Sequence, residues 1–94
     1  MDLQLHNKTI IITGGAKGIG ATAVRAFAAE GAQVAIAGRS PAEGEALARE
    51  VDGVFIEVEL AEPSACERVM EETLKAFGRI DVLVNNAGFN DSKD

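Results

Sequence analysis

Short runs of apolar residues alternate along the chain with longer stretches in which apolar residues recur every three or four positions. The first run, Thr9–Thr13 (TIIIT), is apolar on both faces, as expected of a strand that is buried on both sides of a sheet. The runs at residues 33–37 (QVAIA), 54–58 (VFIEV) and 81–84 (DVLV) have the same character. The pattern therefore predicts a short strand at each of these four positions.

The stretch after the first strand has helical spacing. Its apolar stripe is formed by Ile19, Ala23 and Phe27, and is widened by Val24 and Ala28. Gly31 follows where a glycine commonly terminates a helix.

Two further helices are predicted between the later strands. The second begins at Ser40-Pro41, with serine as the N-cap, proline in the first helical position and Glu43 completing a capping box. The third opens at Glu62-Pro63 and stops at Gly78. Its expected apolar stripe is Cys66, Val69, Met70, Thr73, Leu74 and Phe77.

The order β-α-β-α-β-α-β with short connections is typical of an α/β protein with a doubly wound parallel sheet, here a partial Rossmann-type sheet. Right-handed crossovers place its strands in the order 3-2-1-4. With no linker or repeat, we expect residues 1–94 to form a single dinucleotide-binding domain that is incomplete at its C-terminal end. Residues 90–94 (NDSKD) are expected to be an unstructured tail.

Composition and charge narrow the classes of function. The net charge of −6 argues against nucleic acid or an anionic membrane surface as the main partner. Neither a signal peptide nor a membrane span is predicted, because residues 1–8 are polar and the first apolar run is too short. A single cysteine, Cys66, is compatible with a reducing compartment, so we expect a cytoplasmic protein. We expect no metal site.

The turn between the first strand and the first helix is rich in glycine. In the sequence T-G-G-A-K-G-I-G, Gly14 permits a tight turn, Gly18 permits the close approach of a diphosphate, and Gly20 allows the helix to pack near the strand. A helix N-terminus also attracts negative charge through its unpaired N–H groups and its dipole. We expect a dinucleotide diphosphate at this turn.

Two motifs together resemble the short-chain dehydrogenases/reductases. One is T-G-x-x-x-G-x-G, from Thr13 to Gly20, and the other is Asn85-Asn86-Ala87-Gly88 after the fourth strand. The resemblance extends from about Leu5 to Gly88. It implies an oxidoreductase that transfers a hydride between a nicotinamide cofactor and an alcohol or carbonyl substrate, in an enzyme that is commonly a homo-oligomer.

The end of the second strand favours NADP(H) over NAD(H). An acid at this place binds the ribose 2′-hydroxyl of NAD, whereas an arginine accommodates the 2′-phosphate of NADP. Here the sequence has Gly38 where NAD-specific members of the family have an aspartate, and Arg39 comes next. Lys17 resembles the second basic residue of the NADP-preferring members.

Other cofactor contacts are implied by the resemblance. Glu59 and Leu60 occupy the positions beside the adenine, and residues 86–88 those beside the adenosine ribose. Asn85 and Asn86 are equally compatible with a structural role that ties strand ends together. The complete set of expected cofactor-binding residues is Gly14, Ala16, Lys17, Gly18, Ile19, Gly20, Arg39, Ser40, Glu59, Leu60, Asn86, Ala87 and Gly88.

The catalytic residues of the family are not expected in these 94 residues. The family uses a tyrosine with a lysine four residues later, assisted by a serine and an asparagine, and the chain has no tyrosine. We expect the chain to be part of a longer dehydrogenase that contacts its small-molecule substrate through its other half. The alternative is a complete small protein that binds a nucleotide or another subunit without catalysis. Phe89-Asn90-Asp91 resembles the sugar and sugar-acid dehydrogenases of the family, which suggests a sugar as substrate.

Overall fold

The computed structural model describes residues 5–14 and 16–86 and has the predicted order of elements. Four strands alternate with three helices: β1 (Thr9–Thr13), α1 (Gly18–Ala29), β2 (Gln33–Gly38), α2 (Pro41–Val51), β3 (Val54–Glu57), α3 (Ala65–Phe77) and β4 (Val82–Asn85). All strand pairs are parallel, and their order in the sheet is β3-β2-β1-β4. The predicted Rossmann-type fold class and strand order are therefore confirmed.

The helices divide between the two faces of the sheet. Side chains of α1 and α2, including Val24 and Leu47, pack with Ile10, Ile12 and Ile36 on one face, which we call the covered face. On the other face α3 is the helix that the described residues supply, and Val69 meets Ile11 and Ile56 there. The β1 isoleucines are fully buried because their alternating side chains enter both cores.

The first helix departs from its predicted apolar stripe at one residue. Ile19 is 82% exposed, whereas Val24 is fully buried. Ile19 is the second residue of α1, in the first turn, and burial of the helix begins only at Gly20 and Ala21. The part of the predicted stripe that packs on the sheet therefore begins after Ile19.

The predicted start of α2 is confirmed, but the predicted capping hydrogen bonds of Ser40 and Glu43 are not formed. Ser40 is the N-cap and Pro41 the first helical residue, yet the Ser40 side chain makes no capping hydrogen bond. The Glu43 carboxylate instead lies 3.4 Å from Nζ of Lys17, in front of α1. The capping box does not form, because Glu43 pairs with a cation from a neighbouring turn.

The third helix starts later than predicted and buries a narrower stripe. It begins at Ala65, since Glu62 and Pro63 lie in turns that precede the helix. Val69 and Thr73 are buried as expected, whereas Cys66, Met70 and Leu74 are exposed. The described part of the chain places no element over that side of α3.

The fourth strand is the edge strand next to β1. It is shifted by one residue from the predicted 81–84, and Asp81 instead precedes it and anchors it. The Asp81 N–H donates to the Thr9 carbonyl at 2.9 Å, and its carboxylate accepts the Thr9 N–H at 2.8 Å. Arg79 donates to both carboxylate oxygens, each at 2.8 Å.

None of the helices in the described ranges is long and apolar enough to cross a membrane. The predicted tail, residues 90–94, lies outside the described residues.

Candidate functional site

A cleft of about 770 Å³ opens at the carboxyl ends of β1 and β2. Ligand sites of open α/β sheets form at this edge, because the loops that follow the strands converge there. Its lining comes from the loops after β1, β2 and β3, the first turns of α3, and β4. The residues are Thr13, Gly14, Ala16, Lys17, Gly38, Arg39, Ser40, Glu59, Leu60, Ala61, Ala65, Cys66, Val69, Met70, Leu83 and Asn85.

The glycine-rich turn forms one wall of the cleft. Gly14 (φ 68°) and Gly18 (φ 57°) both have the left-handed backbone conformation that favours glycine. A Cβ atom on Gly18 would meet no other atom within 4 Å, so the space beside it is free of protein. The Lys17 side chain does not cap α1, and the first turn of α1 contains no acidic residue. Among the described residues no side chain caps α1, so its N-terminal N–H groups are available to an external acceptor.

Two basic side chains reach the cleft from different loops. Lys17 comes from the glycine-rich turn and Arg39 from the end of β2. Both are largely exposed, and each pairs with a carboxylate: Lys17 with Glu43 at 3.4 Å, and Arg39 with Glu59 at 3.6 Å. Gly38 leaves open space beside Arg39, since a Cβ atom there would meet nothing within 4 Å.

The wall opposite the basic residues is mostly apolar. Leu60 and Ala61 follow β3, and Val69 and Met70 lie on the face of α3 that borders the cleft. The cleft therefore combines an apolar wall with a cationic rim, which suits a ligand with a flat apolar group and several negative charges.

The two asparagines at the end of β4, Asn85 in the strand and Asn86 after it, are bonded to the neighbouring strand and turn. The Thr13 hydroxyl donates to Oδ1 of Asn85 at 3.0 Å, and Nδ2 of Asn86 donates to the Gly14 carbonyl at 3.1 Å. These bonds are those expected of the structural role that ties strand ends together. Through Asn86, the end of β4 also supports the glycine-rich turn.

The structure brings together only part of the predicted site. Gly14, Ala16, Lys17, Arg39, Ser40, Glu59 and Leu60 line the cleft. Gly18, Ile19, Gly20 and Asn86 flank it without forming its lining, and Gly20 is one of the buried residues of α1. Ala87 and Gly88 lie outside the described residues.

Sequence reasoning missed the contribution of α3 and of Glu43. Cys66, Val69 and Met70 were predicted only as part of the apolar stripe of the third helix, yet they also line the cleft. The sequence did contain a signal for this: the apolar stripe of the third helix is wider than its contact with the sheet requires. Nothing in the local pattern of Glu43 pointed to Lys17, because the two residues meet only after β1 and β2 pair.

Sequence comparisons agree with this geometry. A sequence model of the short chain dehydrogenase family matches residues 8–94. An L-fucose dehydrogenase of Bos taurus is 42% identical over 91 residues, covering 96% of this chain and 34% of that protein. A short-chain dehydrogenase reductase of Arabidopsis thaliana is 37% identical over 89 residues, covering 95% of this chain and 33% of that protein. The chain thus spans about a third of the length of these curated relatives.

Solved structures agree as well. A short chain dehydrogenase from Bacillus anthracis superposes with a TM-score of 0.82 at 33% identity, covering 88% of this chain and 35% of that one. A short-chain dehydrogenase/reductase of unknown function from Caenorhabditis elegans, solved with cofactor, gives a TM-score of 0.78 at 35% identity over 85% of this chain and 32% of that one. On its family match, sequence relatives and fold, this chain belongs to the short chain dehydrogenase family.

Proposed function

We propose that the chain is the NADP(H)-binding part of a dehydrogenase that interconverts an alcohol and a carbonyl compound. One observation carries this proposal: Lys17 and Arg39 reach the rim of one cleft from different loops, while Gly38 leaves the place of a discriminating carboxylate empty. When bound, the cofactor would supply or accept the hydride. The protein residues would hold and orient it.

The glycine-rich turn has the properties that a diphosphate requires. The space beside Gly18 is open, and the N-terminus of α1 has neither a capping side chain nor an acid in its first turn. In this proposal Gly14, Ala16, Gly18, Ile19 and Gly20 form the diphosphate-binding segment.

The 2′-phosphate would lie between the basic side chains. The Arg39 guanidinium offers a planar fork of donors, which matches phosphate geometry. Ser40 lines the cleft next to it, and Lys17 faces the same space from the first loop. A carboxylate at position 38 would repel this phosphate, and Gly38 avoids that repulsion.

The adenosine would occupy the far end of the cleft. Leu60 offers an apolar surface for the adenine, and the Glu59 carboxylate is a candidate acceptor for the adenine amino group. Glu59 also pairs with Arg39, so it would have to share its oxygens between the two partners. Residues 86–88 are proposed to border the ribose.

The preference for NADP(H) is tested by binding rather than by turnover. Removing a hydrogen bond to a charged group costs roughly 1.5–3 kcal/mol, so Arg39→Ala should weaken NADPH binding about tenfold or more. NADH binding should change little. Calorimetric titration of each dinucleotide into the protein measures both affinities. Arg49→Ala is the control, because Arg49 is an exposed arginine of α2 outside the cleft lining.

Introducing the missing acid is the complementary test. Gly38→Asp has space for its side chain and should shift the preference towards NADH. Equal affinity of the wild-type protein for NADPH and NADH would refute the assignment of NADP(H).

The place of the diphosphate is tested with a pair of glycine variants. Gly18→Ala and Gly78→Ala both put a side chain on a left-handed backbone (φ 57° and 81°) with nothing within 4 Å. Their cost in stability should therefore be similar, about 1 kcal/mol. Only Gly18→Ala should weaken the binding of both dinucleotides, since Gly78 is the C-cap of α3. A similar loss of affinity in both variants would show that the glycine-rich turn only connects β1 to α1 and does not bind the diphosphate.

We further propose that the substrate of the whole enzyme is a sugar or a sugar acid. The support is the identity of about 42% to L-fucose dehydrogenase of Bos taurus.

Because the 94 residues contain no tyrosine, the general acid of the family would have to come from elsewhere in the enzyme. The 94-residue chain alone should thus show no turnover with L-fucose and NADP⁺, measured by absorbance of the reduced nicotinamide. Turnover by material of confirmed mass would disprove this.

A further inference from the structure

Both basic side chains of the cleft are paired with carboxylates of the protein. Lys17 pairs with Glu43 and Arg39 with Glu59, and the four side chains remain 46–72% exposed. Glu59 already has a proposed role beside the adenine. Glu43 is not needed for any contact with the cofactor described above, although its partner is one of the proposed phosphate ligands.

The position of Glu43 follows from the start of α2. It is the third residue of that helix and the acid of its first turn, where the helix dipole favours a negative charge. The Ser40 side chain does not form the capping bond, and the Glu43 carboxylate reaches across to the residue that precedes α1. The ion pair therefore connects the starts of two helices that flank the proposed phosphate position.

We infer that Glu43 is a specificity-determining residue that limits the preference of this site for NADPH over NADH. This inference rests on the proposed function. A 2′-phosphate carries a charge of about −1.5 to −2 at neutral pH and needs the Lys17 ammonium as a partner. The Glu43 carboxylate competes for the same ammonium and repels the phosphate. NADH has a hydroxyl at this place, so its binding does not require Lys17 to leave Glu43.

The decisive variant is Glu43→Gln, which removes the charge and retains the shape of the side chain. Exposed ion pairs contribute modestly, so NADPH should bind about two- to fivefold more tightly and NADH with unchanged affinity. Glu45→Gln is the matched control. Glu45 is an exposed acid of the same helix that makes no hydrogen bond or ion pair with the described residues. The Glu45→Gln change should alter the ratio of NADPH affinity to NADH affinity much less than Glu43→Gln does.

A second background tests whether Glu43 acts through Lys17. In a Lys17→Met protein, the additional Glu43→Gln change should have a clearly smaller effect on NADPH binding than it has in the wild type. Calorimetric titration with NADPH, NADH and adenosine 2′,5′-bisphosphate gives the affinities without any turnover. Circular dichroism confirms that each variant is folded.

The results distinguish a failure of the proposed function from a failure of this inference alone. A wild-type protein that binds neither dinucleotide would overturn the proposed function and this inference together. A wild-type protein that prefers NADPH, with the same preference in Glu43→Gln, would overturn the inference alone. An undiminished effect in the Lys17→Met background would also overturn it, since Glu43 would then act without its partner.

Discussion

The two faces of the sheet are covered to different extents. On the covered face α1 and α2 lie side by side, and Ile10, Ile12 and Ile36 are completely buried beneath them. On the other face, within residues 5–14 and 16–86, only α3 packs. Three apolar side chains on this side are partly exposed: Met70 by 37%, Leu74 by 48% and Leu83 by 52%. We call the surface that they form the open face.

This difference teaches why the cleft forms where it does. Met70 and Leu83 of the open face also line the cleft, beside Val69 of α3. Among the described residues, α3 is the helix on this side, and Met70 and Leu83 stay partly exposed next to the basic loops. The apolar wall of the candidate site is thus built from partly exposed side chains, whereas the fully buried side chains of the covered face contribute more to stability.

The largest effect is expected from shortening a side chain on the covered face. Ile36→Ala should lower the free energy of unfolding by about 2–5 kcal/mol, because it leaves a cavity in a fully buried position. Leu83→Ala on the open face should cost about 1 kcal/mol, since half of that side chain is already in water. Urea denaturation of both variants measures the difference.

If Ile36→Ala does not fold, Ile36→Val is compared with Leu83→Val instead, with an expected loss of about 0.5–1.5 kcal/mol for Ile36→Val and a smaller loss for Leu83→Val. Equal losses for Ile36→Ala and Leu83→Ala would show that the two faces do not differ energetically.

A second prediction concerns association of the 94-residue chain. Its exposed apolar side chains lie beside an edge strand, an arrangement that favours contacts between copies. We expect concentration-dependent self-association in size-exclusion chromatography, reduced by Leu74→Lys or Leu83→Lys. Ile19→Lys is the control, because Ile19 is 82% exposed but lies on α1, away from the open face. A monomeric wild-type chain, or an equal effect of Ile19→Lys, would contradict this.

The smallest effect concerns the anchor of the edge strand. The Arg79 guanidinium, followed by the Thr9 N–H, holds the pKa of Asp81 below its ordinary value. Asp81 therefore stabilises the fold at neutral pH, and this contribution decreases as the pH falls below about 3.9 and through the lowered pKa of the folded state. Asp81→Asn should be less stable than the wild type at pH 7, with a smaller difference at pH 3.

Urea midpoints at the two pH values test this prediction. Glu71→Gln is the control, because Glu71 is exposed and has no hydrogen bond or ion pair with the described residues. A difference between Asp81→Asn and wild type that does not shrink in acid would exclude the anchoring carboxylate as its cause.

Local signals in the sequence were enough for the order of elements and the central strand. The run at Thr9–Thr13 predicted the bounds of β1 correctly. A strand that is buried on both faces is apolar at successive positions, so its first and last residues are easy to recognise. Gly31 and Gly78 were expected to end α1 and α3, and both follow the last turn with positive φ. The predicted site residues that line the cleft sit directly after strands, where the fold class alone directs them to one edge.

The errors of sequence reasoning share a cause. Ile19, Met70 and Leu74 are apolar at helical spacing, but a helical pattern does not state how much of the stripe another element covers. The Ser40–Glu43 pattern satisfies the local rule for a capping box, yet Lys17 was a competitor that no local rule includes.

The class of fold, the strand order and the glycine-rich and basic residues of the candidate site follow from the amino-acid sequence alone. These features depend on local periodicity, on glycine conformation and on rules of chain connection that hold whatever the surrounding contacts. Three features arise only in the folded molecule: Glu43 pairs with Lys17, Asp81 anchors β4 to β1, and α3 lines the cleft. Each of these contacts joins residues from separate elements, and it exists only once parallel strand pairing has brought those elements together.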